Sequence, residues 1–175
     1  MDLTFKTALR QQFGAAIDML ENAVRACPVE PWQVRLWDDQ THQAGLAEFW
    51  YIVYHTLFWL DLYLSGSVDG FVPPNPFTLD ELDPAGILPD RPYSRDELQT
   101  YLEHGRRKCQ TTIDGLTDAK ASKQCTFSWG TVPFVELLLD NMRHVQEHSA
   151  QLNMILVQKI GWASSWVTKA NGKAA

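Results

Sequence analysis

Residues 137–156 read LLLDNMRHVQEHSAQLNMIL, and the fold turns on how this stretch is placed. Leu137, Asn141, His144, His148, Leu152 and Ile155 recur at steps of 4, 3, 4, 4 and 3, the period of one face of an α-helix. The spacing predicts a helix that starts after Thr131, carries Pro133 in its first turn, where a missing N–H does no harm, and runs to about Ile160 before Gly161. Its apolar seam is expected to point into a core, with His144 and His148 on that seam.

Three further helical segments lie upstream. From about Thr4 to Ala26, Leu9, Phe13, Ala16, Leu20 and Ala23 keep the same three-and-four spacing, and Pro28 and Pro31 close the segment. A second helix is expected over roughly Gln43 to Leu64, ending at Ser65-Gly66, because glycine takes the left-handed cap conformation without steric cost. A third begins at Ser94, where Ser94 and Glu97 form a capping box, and carries Leu98, Leu102, Gly105, Cys109, Ile113 and Leu116 on one stripe. None of the segments shows sustained strand alternation. Between the second and third, Pro73, Pro74, Pro76, Pro84, Pro89 and Pro92 exclude a regular helix. The expected architecture is all-α, a four-helix bundle with one long Pro-rich crossover between helices 2 and 3. One domain over residues 1–166 with a flexible tail over 167–175 completes the organisation.

The composition removes several functions. The 175 residues carry a net charge of −6 at pH 7, against the basic face that binders of nucleic acid or anionic membranes display. Cys27, Cys109 and Cys125 are odd in number and lack a CxxC pair, which fits reduced thiols in the cytoplasm. The N-terminus has no apolar core of signal-peptide length. The most apolar stretch, Phe49 to Leu64, is 16 residues long and contains His55 and Asp61, whereas a membrane span needs ~20 residues with few ionisable groups.

The histidines divide by their neighbours. His144 and His148, four apart, stand one above the other on one helix face, where two imidazoles can share one metal ion. His55 lies with Ile52, Trp59 and Leu62 on an apolar stripe among aromatics that include Tyr51 and Tyr54. On spacing alone it is either a hydrogen-bonded core histidine or a third ligand, and three histidines plus a water make an open zinc site. His104 shares a polar face with Glu97, Tyr101 and Lys108, and His42 sits in the polar entry to helix 2, so neither is expected to bind metal. The sequence His144-Val-Gln-Glu147-His148 has the HxxEH form of a zinc protease, but no Asp or Glu follows Glu147 to complete such a site. A di-iron carboxylate bundle needs Glu three residues before a ligand histidine, and no histidine here has one. Gln151, three residues after His148, is placed to orient an imidazole or a bound water, or stands as an ordinary helical glutamine.

The aromatic helix EFWYIVYHTLFWLDLYLSG (48–66), followed after a long connection by NMRHVQEHSAQLNMIL (141–156), resembles the DinB-like superfamily of metal-binding four-helix bundles. The resemblance covers essentially the whole chain; its specific part is three histidines and the QLN that follows them. It implies His55, His144 and His148 as ligands of a divalent metal, zinc or nickel, with open positions for water. Trp59, Gln151 and Tyr51 are the candidates to support the ligands or line the pocket. The resemblance also implies a homodimer and, in some members, transfer or isomerisation dependent on a low-molecular-weight thiol such as bacillithiol or mycothiol. The expected function is therefore a metal-dependent enzyme of thiol S-transferase or related hydrolase or isomerase type acting on a small molecule, with no catalytic base identified. The alternative is a noncatalytic bundle that binds a metal, a ligand or a protein partner.

Overall fold

Asp2 opens the first helix by accepting the N–H of Thr4 at 3.1 Å, so that α1 spans Leu3–Ala26. The computed structural model describes residues 2–37 and 44–170. In it α2 spans Phe49–Ser65, α3 Arg95–Asp114, α4 Asp118–Ala121 and α5 Phe134–Ile160, with strands β1 Gln124–Phe127 and β2 Gly130–Pro133 before α5. The four long helices, α1, α2, α3 and α5, form the body: α1 packs on α3 and α5, and α2 packs on the same two. Each apolar face named by the spacing is thereby buried, including Phe13, Leu20 and Ala23 of α1 and Leu98, Leu102, Cys109 and Ile113 of α3.

Local chemistry ends the helices where the sequence places the ends. The Ser94 side chain accepts from Glu97 N–H while the Glu97 carboxylate accepts from Ser94 N–H, closing the capping box at α3. Gly66 ends α2 at φ 74° and Gly161 ends α5 at φ 66°, conformations that a side chain would strain. Between α2 and α3 the described chain forms one short 3₁₀ turn, Asp80–Leu82.

Three expectations are corrected. Helix 2 starts later than Gln43, a residue that, like His42, lies outside the described residues: Ala44–Ala47 form a 3₁₀ turn and Glu48 is extended. Leu36 N–H donates to Ala47 O at 2.8 Å and Phe49 N–H to Val34 O at 3.0 Å, drawing this stretch into a bridge with residues 34–36 instead of a helical turn. A β-hairpin, with Cys125 opposite Val132 and Phe127 opposite Gly130, stands where no strand was expected. The face of α3 that carries Tyr101, His104 and Lys108 is not a solvent face. It closes over Asp61 of α2, which is buried and accepts from Tyr101 Oη at 3.2 Å and from Lys108 Nζ, with His104 Nε2 at 3.3 Å. A carboxylate on an apolar helix needs such partners when buried, and α3 supplies them. In the C-terminal segment, Thr168 O accepts from Gln12 Nε2 at 3.1 Å, and Ala170 N–H donates to Gln11 O at 3.0 Å. Residues 171–175 lie outside the described residues. No helix among the described residues is long and apolar enough to cross a membrane.

Candidate metal centre

Helix α2 is buried almost all round; only His55 and Trp59 are half-buried and Ser65 is exposed. His55 and Trp59 are four apart and so share one face, the side on which α5 presents its histidines. On α5 the buried line runs through Leu137, Leu138, Asn141, Val145, Ser149, Leu152, Ile155 and Leu156, and so includes Leu137, Asn141, Leu152 and Ile155 of the seam expected from spacing. His144 and His148 stand at the edge of that line, half-buried, while Glu147 is exposed. Asn141 fixes the register of the two helices by donating from Nδ2 to Leu60 O at 3.0 Å.

Here the three imidazoles converge. His144 Nε2 lies 3.2 Å from His55 Nε2 and 3.1 Å from His148 Nε2, and all three ligand atoms fall within 4.8 Å of one another. Nitrogens at the ~2.0–2.1 Å bond length of a tetrahedral zinc site stand roughly 3.3–3.4 Å apart, so the convergence is close to ligand geometry. The outer nitrogens decide which lone pairs face inward. His55 Nδ1 is 2.7 Å from Glu81 Oε2, and His148 Nδ1 is 2.7 Å from Gln151 Oε1. A carboxylate or amide oxygen only accepts, so each Nδ1 carries the proton and each Nε2 is left as a donor atom for a cation. His144 Nδ1 is buried and meets no hydrogen-bond partner among the described residues. Without a cation, His144 Nε2 can donate to only one of its two imidazole neighbours; a shared ion takes up all three lone pairs. The residues present therefore fit a divalent metal of the kind that imidazole favours, and the group can hold one.

The electrostatics keep two of the three rings, His144 and His148, in the neutral form. Burial, and then the proximity of His55 and His148, pushes His144 down to about 2. Burial and His55 likewise hold His148 below the ordinary histidine value. Burial alone would raise Glu81, but the hydrogen bond and charge of His55, with Tyr51 and Trp59, outweigh it and keep the group an anion. A cavity of about 310 Å³ opens beside His55 and His148, walled by Trp37, Leu46, Tyr51 and Ile52 and by Asp80 and Glu81 of the Pro-rich connection.

Each residue singled out in the sequence has a definite place. His55, His144 and His148 come together; Gln151 meets His148; Trp59 Nε1 donates to Glu81 Oε2 at 2.8 Å; Tyr51 lines the cavity with its ring 6.4 Å from that of His55. His104 stands apart, on Asp61. Sequence reasoning missed Glu81. It comes from the irregular connection, 26 positions from His55, and no helical spacing links the two.

The family model of the DinB superfamily matches residues 12–152, a span that includes the three histidines, Glu81 and Gln151. The chain belongs to the DinB superfamily. Members of the DinB superfamily often bind metal, and the three-histidine group is compatible with that property. No curated protein and no solved structure matches the chain.

Proposed function

We propose that this DinB superfamily protein holds a divalent ion, zinc or nickel, on His55, His144 and His148 and is a metal-dependent enzyme of thiol S-transferase or related type. The convergence of three Nε2 atoms, two of them in rings whose outer nitrogens are held by Glu81 and Gln151, carries this reading. The group has three protein ligands among the described residues, which favours an open, catalytic site over a closed structural one with four.

When bound, such an ion supplies Lewis acidity that lowers the pKa of a coordinated thiol or water. The chain's own residues would then do the rest. Glu81 Oε2 keeps the proton on His55 Nδ1, and Gln151 Oε1 keeps the proton on His148 Nδ1, so that both rings present Nε2 in a fixed direction. Trp59 anchors Glu81 from behind, and Tyr51, Leu46 and Ile52 give a small substrate an apolar wall that excludes water. The three free, buried cysteines support a reducing compartment, the cytoplasm.

The test is consumption of a low-molecular-weight thiol in the presence of an epoxide or an activated haloarene. Metal-loaded protein is expected to accelerate it, chelator to abolish the acceleration and added metal to restore it. Metal-loaded protein that leaves the rate at that of the thiol alone contradicts the enzymatic reading and leaves a noncatalytic metal protein.

A further inference from the structure

We propose that the cavity beside the three histidines selects an amine-bearing ligand and disfavours a carboxylate-bearing one; this rests on the reading of the histidines as a metal centre that takes a thiol. The observation is one of charge placement. From Leu36 to Asp90 the sequence contains no Lys or Arg and nine Asp or Glu, a net −9 over 55 residues, which leaves 15 basic against 12 acidic residues elsewhere. That one segment supplies every residue lining the cavity except His148. No described lining residue is Lys or Arg, and residues 38–43, outside the described set, contain none to contribute.

The acidic groups at the wall have different partners. Glu81 is turned to the ligand shell, with Oε2 shared by His55 and Trp59. Asp80, its neighbour, meets the hydroxyl of Thr78 and lines the cavity. Lys108, a cation of α3, is held on Asp61. With Asp80 and Glu81 together offsetting a divalent charge, an anionic tail entering the cavity gains no net attraction. An ammonium group instead has Asp80 and the aromatic residues Trp37 and Tyr51 among the residues that line the cavity. Apolar walls reduce the screening that would blunt this difference in water.

The experiment uses the cobalt(II)-loaded protein and follows thiolate-to-cobalt charge-transfer absorption while cysteamine, 2-mercaptoethanol or mercaptoacetate is titrated in. The ratio of the cysteamine to the mercaptoacetate affinity is expected to fall about tenfold in Asp80→Asn, the lower end of what a hydrogen bond to a charged group supplies. Asn keeps an acceptor for Thr78, and comparing ratios between the two proteins cancels the intrinsic difference between the thiols. In wild type the same ratio is expected to narrow as salt rises from about 0.05 to 0.5 M, an arm that needs no variant. A ratio unchanged by both Asp80→Asn and salt overturns the proposal. Fully loaded cobalt protein that gives no band with any thiol contradicts the thiol-binding reading itself and takes the preference with it.

Discussion

Glu81 is the residue on which the geometry of the centre leans from outside the helices. Its carboxylate holds the Nδ1 proton of His55, and an outer partner of this kind is typically worth about 10–100-fold in metal affinity. Glu81→Ala is therefore expected to weaken metal binding by roughly that factor in competition with a chelator, and Glu81→Gln, which keeps an accepting oxygen, by less. Gln151 plays the same part for His148 and was legible from its place three residues downstream on the same helix. Glu81 was not, because sequence periodicity reports neighbours on one element and says nothing about which loop residue meets which helix. Acid gives a second handle on the residue scale. His144 is held at about 2 in the folded protein, chiefly by burial, whereas an unfolded histidine titrates near ~6.5. Below that value the unfolded chain takes up a proton that the folded one refuses, so the metal-free protein loses stability as pH falls. The loss from this one proton is about 2 kcal/mol between pH 6.5 and 5, read from urea midpoints, and His144→Leu is expected to flatten that dependence.

At the scale of elements, the sequence spoke clearly where helix chemistry is local. The capping box at Ser94 stands where the SxxE spacing put it, and Ser94→Ala is expected to cost about 1 kcal/mol in equilibrium unfolding. Gly66, at φ 74°, closes α2 with its Cβ position already 3.3 Å from Phe134 and Cys125, so Gly66→Ala is expected to cost at least about 1 kcal/mol through strain and crowding together. Legibility failed where partners at a distance decide. The start of α2 moved to Phe49 because residues 34–36 pair with residues 47–49, a contact invisible to the 3.6-residue period. The hairpin at 124–133 was hidden by its size: two four-residue strands carry too few alternations to register, although Cys125 and Phe127 both face inward. The polar stripe of α3 misled for a related reason. Tyr101, His104 and Lys108 look solvent-facing until the buried Asp61 of α2 is placed beneath them.

At the scale of the whole molecule, the apolar periodicities were enough for a mostly helical fold, and the family match over residues 12–152 agrees with it. The cysteines behave as small apolar residues. Burial pushes the Cys27 thiol up to about 11 and that of Cys109 to about 12, so at neutral pH neither offers a thiolate. Aromatic disulfide reagents at pH 7 are expected to leave both unmodified in the native protein and to label them only as urea unfolds it; rapid labelling without unfolding contradicts that placement. The packing of α2 against α5 brings His55 to the two histidines of the last helix, and the three form a group that could hold a metal ion. Elemental analysis of protein purified without chelator or affinity tag measures this most directly. About one divalent ion per chain is expected in wild type and in His104→Ala, and its loss in each of His55→Ala, His144→Ala and His148→Ala. Full occupancy in all three of those variants would contradict the site.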